Sequence, residues 1–392
     1  MRLRFNDEDE AFRVELLEWL VANPPPSAEE QASDPSTSSA DQRPWAVRWQ
    51  RTLFDAGYLV PGWPPELGGR NANAVQQMIY FDELRRRKIN RTRNPQGLSI
   101  ITPSLVDHGT DAQKERFVIP TLRAEISWCL GMSEPNAGSD LASLTTRAVQ
   151  DGDRFIVNGQ KVWTSGAQHA DWCLCFVRTN PSVPKHKGIS VLIIDMRSPG
   201  IEHRPIAELT DHDYADFNEV FFTDVEVPAE NLLGTLDDGW RLAGGSLAHE
   251  RAMLWIGYAY DCAEIVDHLV RVGREQGAGE RSRDLIASAY IDAQALQFMG
   301  YRGFAKFTKG QAAPEHSLLK LFGSEAMQRS LLIGLDELGA AGLDLDLDAP
   351  QVWRPGSMAN QYLRSFAATI PGGTSEIQRN IIAERVLGLP RG

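Results

Sequence analysis

Residues 155–166 read Phe-Ile-Val-Asn-Gly-Gln-Lys-Val-Trp-Thr-Ser-Gly, an apolar run followed by Asn-Gly and a second short run. The apolar run followed by Asn-Gly predicts a strand and then a turn at Asn158-Gly159, before Lys161-Val-Trp. Further strands are predicted over 172–177, 189–194 and 220–227. The stretch from Cys129 to Gly234 is therefore predicted to be a β region.

Helical spacing lies on both sides of this region. Asn6 can cap a first helix, in which Phe12, Leu16 and Leu20 form one apolar stripe. Beyond Gly239 the helical period returns for almost all of the remaining chain, with breaks predicted near 273–279, 311–314 and 342–355. This order excludes the alternating strands and helices of a Rossmann fold. We predict an α+β, mostly α fold with domains over 1–126, 127–235 and 236–392.

Residues 24–44 are rich in Pro, Ser and Asp and predict a mobile surface loop. Helical spacing resumes after it with Trp45, Trp49 and Leu53 and continues to about Leu122.

Composition narrows the class of protein. The chain has 392 residues, of which 42% are apolar and 23% charged, and a formal net charge of −12. This charge argues against broad nucleic-acid binding and against adhesion to anionic membranes. No apolar run approaches the roughly 20 residues of a membrane helix. The N-terminus turns acidic before any apolar stretch, unlike a signal or transit peptide, so a cytoplasmic location is predicted.

The cysteines and histidines do not predict a metal site. The four cysteines form no Cys-x-x-Cys pair. Cys173 and Cys175 alternate along a predicted strand and are interpreted as small apolar core residues. Asp211-His212-Asp213 is interpreted as a solvated loop.

Two hydroxyl-rich segments belong to the β region. Residues 132–140, Met-Ser-Glu-Pro-Asn-Ala-Gly-Ser-Asp, are called here the hydroxyl loop; they can cradle a phosphate or a planar polar edge, although the composition also fits an ordinary turn. Residues 163–166, Trp-Thr-Ser-Gly, are called the indole segment. An indole beside two hydroxyls can pack on a planar ring, and a buried core tryptophan is the ordinary alternative.

Glu250 is the candidate general base. Its helical neighbours at three and four positions are Ser246, Leu247, Met253 and Leu254, with no cation among them. An apolar helix face raises the pKa of a carboxyl group and makes it a better base. The alternative is a solvated glutamate at a helix edge.

The C-terminal run 370–380, Ile-Pro-Gly-Gly-Thr-Ser-Glu-Ile-Gln-Arg-Asn, predicts a helix start with Thr374 as its cap. A helix start after glycines suits a diphosphate or a ribose, and it is equally a well-capped last helix.

Together these motifs resemble the acyl-CoA dehydrogenases. The resemblance covers nearly the whole chain and rests on Ser133–Asp140, Asn158–Trp163, Glu219-Val-x-Phe222 running to Val227-Pro228, and Gly373–Arg379. It implies an N-terminal helical domain, a middle β domain and a C-terminal four-helix bundle, bound FAD, and an oligomer, usually a tetramer.

The resemblance also implies roles for particular residues. Met132, Ser133 and Ser139 correspond to the flavin loop, with Ser139 also near the CoA pyrophosphate. Trp163, Thr164 and Ser165 correspond to the segment beside the isoalloxazine. Gly339 belongs to a segment that resembles the one that meets the FAD of a neighbouring subunit. Thr374 and Glu376 correspond to the helix start near the nucleotide.

Many members of the family carry the catalytic base in a Tyr-Glu-Gly-Thr sequence near the C-terminus. Here that stretch is Pro371-Gly-Gly-Thr374, without a glutamate. Isovaleryl and long-chain enzymes place the base on an earlier helix before an arginine, and Glu250-Arg251 fits that pattern, with Arg251 predicted to contact substrate. Glu250 would take the α-proton while a hydride leaves the β-carbon for the flavin, which yields a trans-2-enoyl-CoA in acyl-CoA metabolism such as β-oxidation.

One departure from the family concerns an Arg-x-x-Phe-Gly motif that reaches the adjacent subunit's FAD. This chain has Arg274-Glu-Gln-Gly-Ala-Gly279 instead, so either Arg274 serves in altered form or that contact is weakened. The predicted partners are an acyl-CoA, an electron-transfer flavoprotein or similar acceptor, and either a second copy (dimer or tetramer) or a related subunit in a hetero-oligomer. The alternatives are a flavin oxidase or monooxygenase of the same fold, a catalytically silent subunit, and a helical scaffold without ligand.

Overall fold

The computed structural model describes residues 5–36, 38–210, 215–307, 309, 315–344 and 357–390, with all their side chains except those of residues 244–255, 276, 307, 315 and 316. The chain divides into two compact units. The first comprises Met1–Tyr80 and Ile89–Glu250, and the second comprises Phe81–Lys88 and Arg251–Gly392. The three predicted domain boundaries stay a prediction.

Helices precede the sheet, as predicted: α1 Asp7–Ala22, α2 Ala28–Ser33, α3 Pro44–Asp55, α4 Ala74–Arg86, α5 Thr102–His108 and α6 Asp111–Leu122, with a π-helical turn Gly97–Ile101 before α5. The Asn6 side chain accepts a hydrogen bond from the Asp9 amide at 2.7 Å, which confirms the predicted cap. Phe12, Leu16 and Leu20 are buried along one face of α1.

The prediction of a mobile surface loop over residues 24–44 was wrong. The segment contains helix α2, and Ser38 and Ala40 are buried. The Ser39 amide donates to the Asp216 carboxylate at 2.7 Å. Residues 38–41 are therefore held against the β region by burial and by this hydrogen bond.

The strands are β1 Trp128–Gly131, β2 Arg147–Asp151, β3 Arg154–Lys161, β4 Trp172–Arg178, β5 Ile189–Asp195, β6 Ile201–Pro205, β7 Asn218–Pro228 and β8 Leu232–Leu233. In the described part of the chain they form one sheet in the order β6-β7-β3-β2-β4-β5-β8, with β1 parallel to β4. The predicted strands are confirmed as β3, β4, β5 and β7, and β1, β2, β6 and β8 are additional to them.

Asn158 and Gly159 do not form the predicted turn. Strand β3 runs through them, and its register with β7 shifts between Val157 and Gly159. Between these two pairs β3 advances by two residues and β7 by three, from Val225 to Phe222, so the extra residue of this β-bulge lies in β7. Gly159 is required there because its φ is +151° and a Cβ would lie 2.6 Å from the Cα of Thr146.

The sheet buries an apolar core that includes Val157, Leu192 and Val220. Cys173 and Cys175 are buried in the same cluster, as predicted, and Ala40 joins it from the N-terminal segment.

The second unit is helical: α7 Gly239–Gln276, which begins in the first unit, then α8 Glu280–Phe307, α9 Glu315–Leu338, α10 Met358–Ala368 and α11 Ser375–Ile381. Helix α9 packs against α8, α10 and α11. The break between α7 and α8 confirms the predicted one, and Gly277 takes a φ of +72° there. The predicted break over 311–314 and most of that over 342–355 lie outside the described residues. Among the described helices, none is both long and apolar enough to cross a membrane.

Candidate active site

The hydroxyl loop begins directly after strand β1. The Ser133 carbonyl accepts from the Val162 amide at 2.9 Å, and the Met132 carbonyl accepts from the Lys161 ammonium at 3.0 Å. Glu134 and Ala137 exchange two backbone hydrogen bonds of 3.0 Å and close a tight turn. The loop is thus anchored at its start, next to the last residues of β3.

The far end of the hydroxyl loop is open to solvent. Ser139 is exposed, and Asp140 forms an exposed ion pair with Lys185 at 2.7 Å. Ser139 can therefore bind a ligand that approaches from solvent.

Trp163 lies two residues after the end of β3, and 58% of its surface is exposed. Its φ is +59°, a left-handed value that non-glycine residues rarely take. The ring of Phe217 meets the indole edge-on, with centroids 5.9 Å apart and planes at 87°. Trp163 is therefore not a core tryptophan, and its exposed ring can pack on a planar ligand.

The Thr164 side chain differs from that of Trp163 because it is buried. Its Oγ1 has no hydrogen-bond partner among the described residues. Such a buried hydroxyl costs free energy unless a ligand or water bonds it. Ser165 beside it is half-buried. An exposed indole next to a buried, unpaired hydroxyl fits the ring and polar edge of a flavin.

The indole segment is fixed to the residues just before strand β7 and to the N-terminal segment. Gly166 donates from its amide to the Asp216 carbonyl at 2.8 Å. With φ +71°, Gly166 also leaves room for Ala40, whose Cβ would lie 2.6 Å from an added Cβ. The segment therefore has little freedom to move.

The start of α11 has the cap that the sequence predicts. Thr374 Oγ1 accepts from the Ile377 amide at 3.3 Å, and Gly373 at φ +101° has its carbonyl bound by Lys320 at 2.7 Å. Glu376 is exposed, and hydrogen bonds from its own amide and from the Thr374 hydroxyl lower the pKa of its carboxyl group.

Arg274 is exposed near the end of α7, where it lines an open groove together with Arg283 and Tyr290. Gly339 begins a 3₁₀ turn, Gly339–Leu343, with a φ of +53°. Each of these positions is reachable by a ligand or another chain.

Glu250 and Arg251 lie within α7, but their side chains lie outside the described residues. Their predicted roles therefore stay predictions. Asp211-His212-Asp213, predicted to be a solvated loop, also lies outside the described residues. In the described part of the chain, no group of three His, Cys, Asp or Glu side chains has the geometry of a metal site.

The sequence reasoning missed Lys161, Glu134 and Phe217. Lys161 and Glu134 are both buried and lie 2.9 Å apart. The available signal was a charged residue near the start of each hydroxyl-rich segment: Glu134 lies within the hydroxyl loop, and Lys161 lies two residues before the indole segment. Phe217 had no distinctive signal.

Models of the N-terminal, middle and C-terminal domains of acyl-CoA dehydrogenases match residues 6–125, 129–225 and 237–387. The chain belongs to the acyl-CoA dehydrogenase family. This acyl-CoA dehydrogenase is 35% identical to the acyl-CoA dehydrogenase IpdE1 of Mycolicibacterium smegmatis (strain ATCC 700084 / mc(2)155), over 98% of both chains.

Two solved structures are similar along the whole chain. The Tcur3481-Tcur3483 steroid ACAD is 28% identical with a TM-score of 0.82, over 100% of both chains. A chain of the ChsE4-ChsE5 complex from Mycobacterium tuberculosis is 29% identical with a TM-score of 0.79, again over 100% of both. The predicted fold class is thereby confirmed.

The predicted activity is confirmed as well. As a member of this flavoprotein family, the acyl-CoA dehydrogenase is an oxidoreductase that converts an acyl-CoA thioester to a trans-2-enoyl-CoA. The similar proteins do not favour the oxidase, monooxygenase or silent-subunit alternatives.

Proposed function

We propose that this acyl-CoA dehydrogenase binds FAD non-covalently where the hydroxyl loop meets the indole segment. The observation that carries the proposal is the buried Thr164 hydroxyl, which lacks a partner among the described residues, beside the exposed ring of Trp163. Met132, Ser133 and Ser165 would complete the contacts to the flavin. When bound, FAD supplies the acceptor for the hydride of the substrate's β-carbon.

Glu250 is proposed as the base that removes the α-proton. The α-proton of a thioester is weakly acidic, and a positioned general base typically accelerates its removal by about 10²–10⁴-fold. Arg251 and Ser139 would bind the substrate, with Ser139 near the CoA pyrophosphate.

A second group of residues is proposed to hold FAD from the C-terminal helices. Thr374 and Glu376 would lie near the nucleotide, and Arg274 and Gly339 would reach the FAD of another subunit. We also propose three domains, at 1–126, 127–235 and 236–392, and the four residues named here all lie in the third.

The substrate class is proposed to be a bulky, steroid-derived acyl-CoA, oxidised by the chemistry of β-oxidation. The name of the similar steroid ACAD supports this class. An electron-transfer flavoprotein or similar acceptor would take the electrons, in the cytoplasm. The assembly is proposed to be an oligomer, either a homotetramer or a hetero-oligomer with a related subunit. The ChsE4-ChsE5 complex, which is named for two components, supports the hetero-oligomer.

Anaerobic titration with acyl-CoA thioesters tests the activity. The yellow protein, alone and co-expressed with any related neighbour, would be mixed with short-chain, branched and steroid side-chain acyl-CoAs while flavin absorbance is followed. Bleaching by a steroid side-chain thioester is expected at lower concentrations than by the others. A protein that stays free of flavin after reconstitution, with and without its partner, contradicts the FAD proposal.

Glu250→Gln tests the base. The variant should keep its FAD while flavin reduction by acyl-CoA falls about 10²–10⁴-fold. Glu275→Gln changes an exposed glutamate of the same helix and should reduce its flavin at the wild-type rate. Near wild-type reduction in Glu250→Gln would place the base elsewhere.

A further inference from the structure

Lys161 and Glu134 form a buried ion pair between the hydroxyl loop and strand β3. The Lys161 side chain is 0% exposed and that of Glu134 is 5% exposed, with 2.9 Å between Nζ and Oε1. Buried charges of this kind are rare unless both are fully bonded.

Both charges are satisfied by short hydrogen bonds. Lys161 Nζ also donates to the Met132 carbonyl at 3.0 Å. The Glu134 carboxylate accepts from the Thr146 amide at 2.8 Å and from the amide and hydroxyl of Thr145 at 2.6 and 2.8 Å. Burial opposes ionisation of Glu134, but Lys161 and these bonds lower the pKa of its carboxyl group to about 2. The pair is therefore ionised at neutral pH.

The pair lies at the start of both segments that the proposed flavin site uses. Glu134 follows Ser133 in the hydroxyl loop, and Lys161 precedes Trp163 by two residues. The bond from the Val162 amide to the Ser133 carbonyl runs beside it at 2.9 Å. The start of the hydroxyl loop is thus joined to Lys161 and Val162, which lead directly into the indole segment.

Stability alone does not explain such a pair. Replacing a buried ion pair by apolar residues of similar volume is often neutral or stabilising, whereas removing one partner is costly. An apolar pair could not make the directional hydrogen bonds that the charged pair makes to the Met132 carbonyl and to the Thr145 and Thr146 amides.

We propose that Lys161 and Glu134 are a positioning pair, which sets the hydroxyl loop against the indole segment so that both reach the flavin. The inference rests on the proposed FAD site. It predicts that FAD affinity depends on the pair even where stability does not.

The experiment compares Glu134→Gln, Lys161→Met and the double variant. The free energy of unfolding of each apoprotein and its FAD dissociation constant would be measured separately. Each single variant should lose stability, because one charge is left buried without its partner. The double variant should recover much of that stability, yet bind FAD at least about tenfold more weakly than wild type.

Glu83→Gln is the matched control. Glu83 is also buried and pairs with Arg87, in the other unit. This variant should be less stable and keep its FAD affinity.

The outcomes separate the two proposals. Wild type without FAD affinity would overturn the proposed function. Wild type that binds FAD, with a double variant that binds it equally well, would overturn the positioning role alone. If a single variant does not fold, the double variant decides.

Discussion

Thr164 and Asn218 exchange both of their backbone hydrogen bonds, from Thr164 N to Asn218 O at 3.0 Å and from Asn218 N to Thr164 O at 3.1 Å. Asn218 Nδ2 also donates to the Thr164 carbonyl at 3.2 Å. The backbone of Thr164 is therefore fixed to strand β7, while its hydroxyl has no partner among the described residues. Thr164 is held in place by its main chain, which leaves its side chain available to a ligand.

Thr164→Val should weaken FAD binding from about twofold to about tenfold without loss of apoprotein stability. The variant removes a buried hydroxyl that the described protein does not use, so the free energy of unfolding should stay equal or rise. Equilibrium dialysis of FAD and urea unfolding measure the two effects. Thr102→Val is the control: its hydroxyl donates to the Gly97 carbonyl at 2.7 Å, so it should lose about 1 kcal/mol and bind FAD normally. Unchanged FAD affinity in Thr164→Val would remove that hydroxyl from the site.

Ser139→Ala should raise the Michaelis constant for acyl-CoA or weaken FAD retention, from about twofold to about tenfold, with little change in stability. Ser139 is exposed, so its hydroxyl contributes through a ligand rather than through the fold. Ser182→Ala, at another exposed loop serine, provides the comparison. Equal kinetic constants and equal FAD content in both variants would contradict a role for Ser139.

Glu134→Gln should change how stability depends on pH. The folded-state pKa of Glu134 is lowered from 4.5 to about 2, so its contribution is present above the unfolded value and is lost as pH falls toward the folded one. The difference in unfolding free energy between wild type and variant should therefore be largest above pH 4.5 and shrink toward pH 2. Urea unfolding at several pH values measures it. A constant difference across this range would show that ionised Glu134 does not stabilise the fold.

Gly166→Ala should destabilise the protein by about 2–5 kcal/mol. The added Cβ would lie 2.6 Å from the Ala40 Cβ and 2.8 Å from its backbone nitrogen, at a φ of +71°. Gly152→Ala separates the two costs, because Gly152 has a similar φ of +65° and no atom near its Cβ. It should lose only about 1–2 kcal/mol. Equal losses in denaturant unfolding would mean that contact with residues 38–41 contributes nothing.

Glu250→Gln with Gly372→Glu should recover part of the flavin reduction that Glu250→Gln loses, if both positions face the same α-carbon. Gly372 has a φ of +67° and no atom within 4 Å of an added Cβ, so a side chain fits at the cost of some backbone strain. Glu250→Gln with Gly372→Ala carries the same strain without the carboxylate. Stopped-flow reduction that is equally slow in both double variants would contradict the shared position.

The sequence predicted those elements that depend on residues close together in the chain. The caps at Asn6 and Thr374 are hydrogen bonds over three residues. Strands 172–177 and 189–194 are apolar at every position except Ser190, because both of their faces are buried. Strand β2 buries only Ala148 and β6 is almost wholly exposed, so neither has an alternating pattern to detect.

Long-range contacts account for the errors. Residues 38–41 have a polar composition, and their burial depends on Asp216 and on the space that Gly166 leaves. The Asn-Gly pair in β3 favours a turn, but pairing with β7 on both sides keeps the pair within the strand, opposite a bulge in β7. For the site, the sequence identified the hydroxyl loop and the indole segment, but not the ion pair of Lys161 and Glu134, because its two members lie 27 positions apart.

The bond from Ser39 to Asp216 joins positions 177 residues apart, and this separation matters while the chain is being made. At roughly 5–20 residues per second, a ribosome needs about 9 to 35 s to synthesise the stretch between them. Throughout that interval the first helices have emerged, but the surface that buries Ala40 does not yet exist. The nascent N-terminal segment is consequently open to proteases and chaperones until strand β7 leaves the exit tunnel.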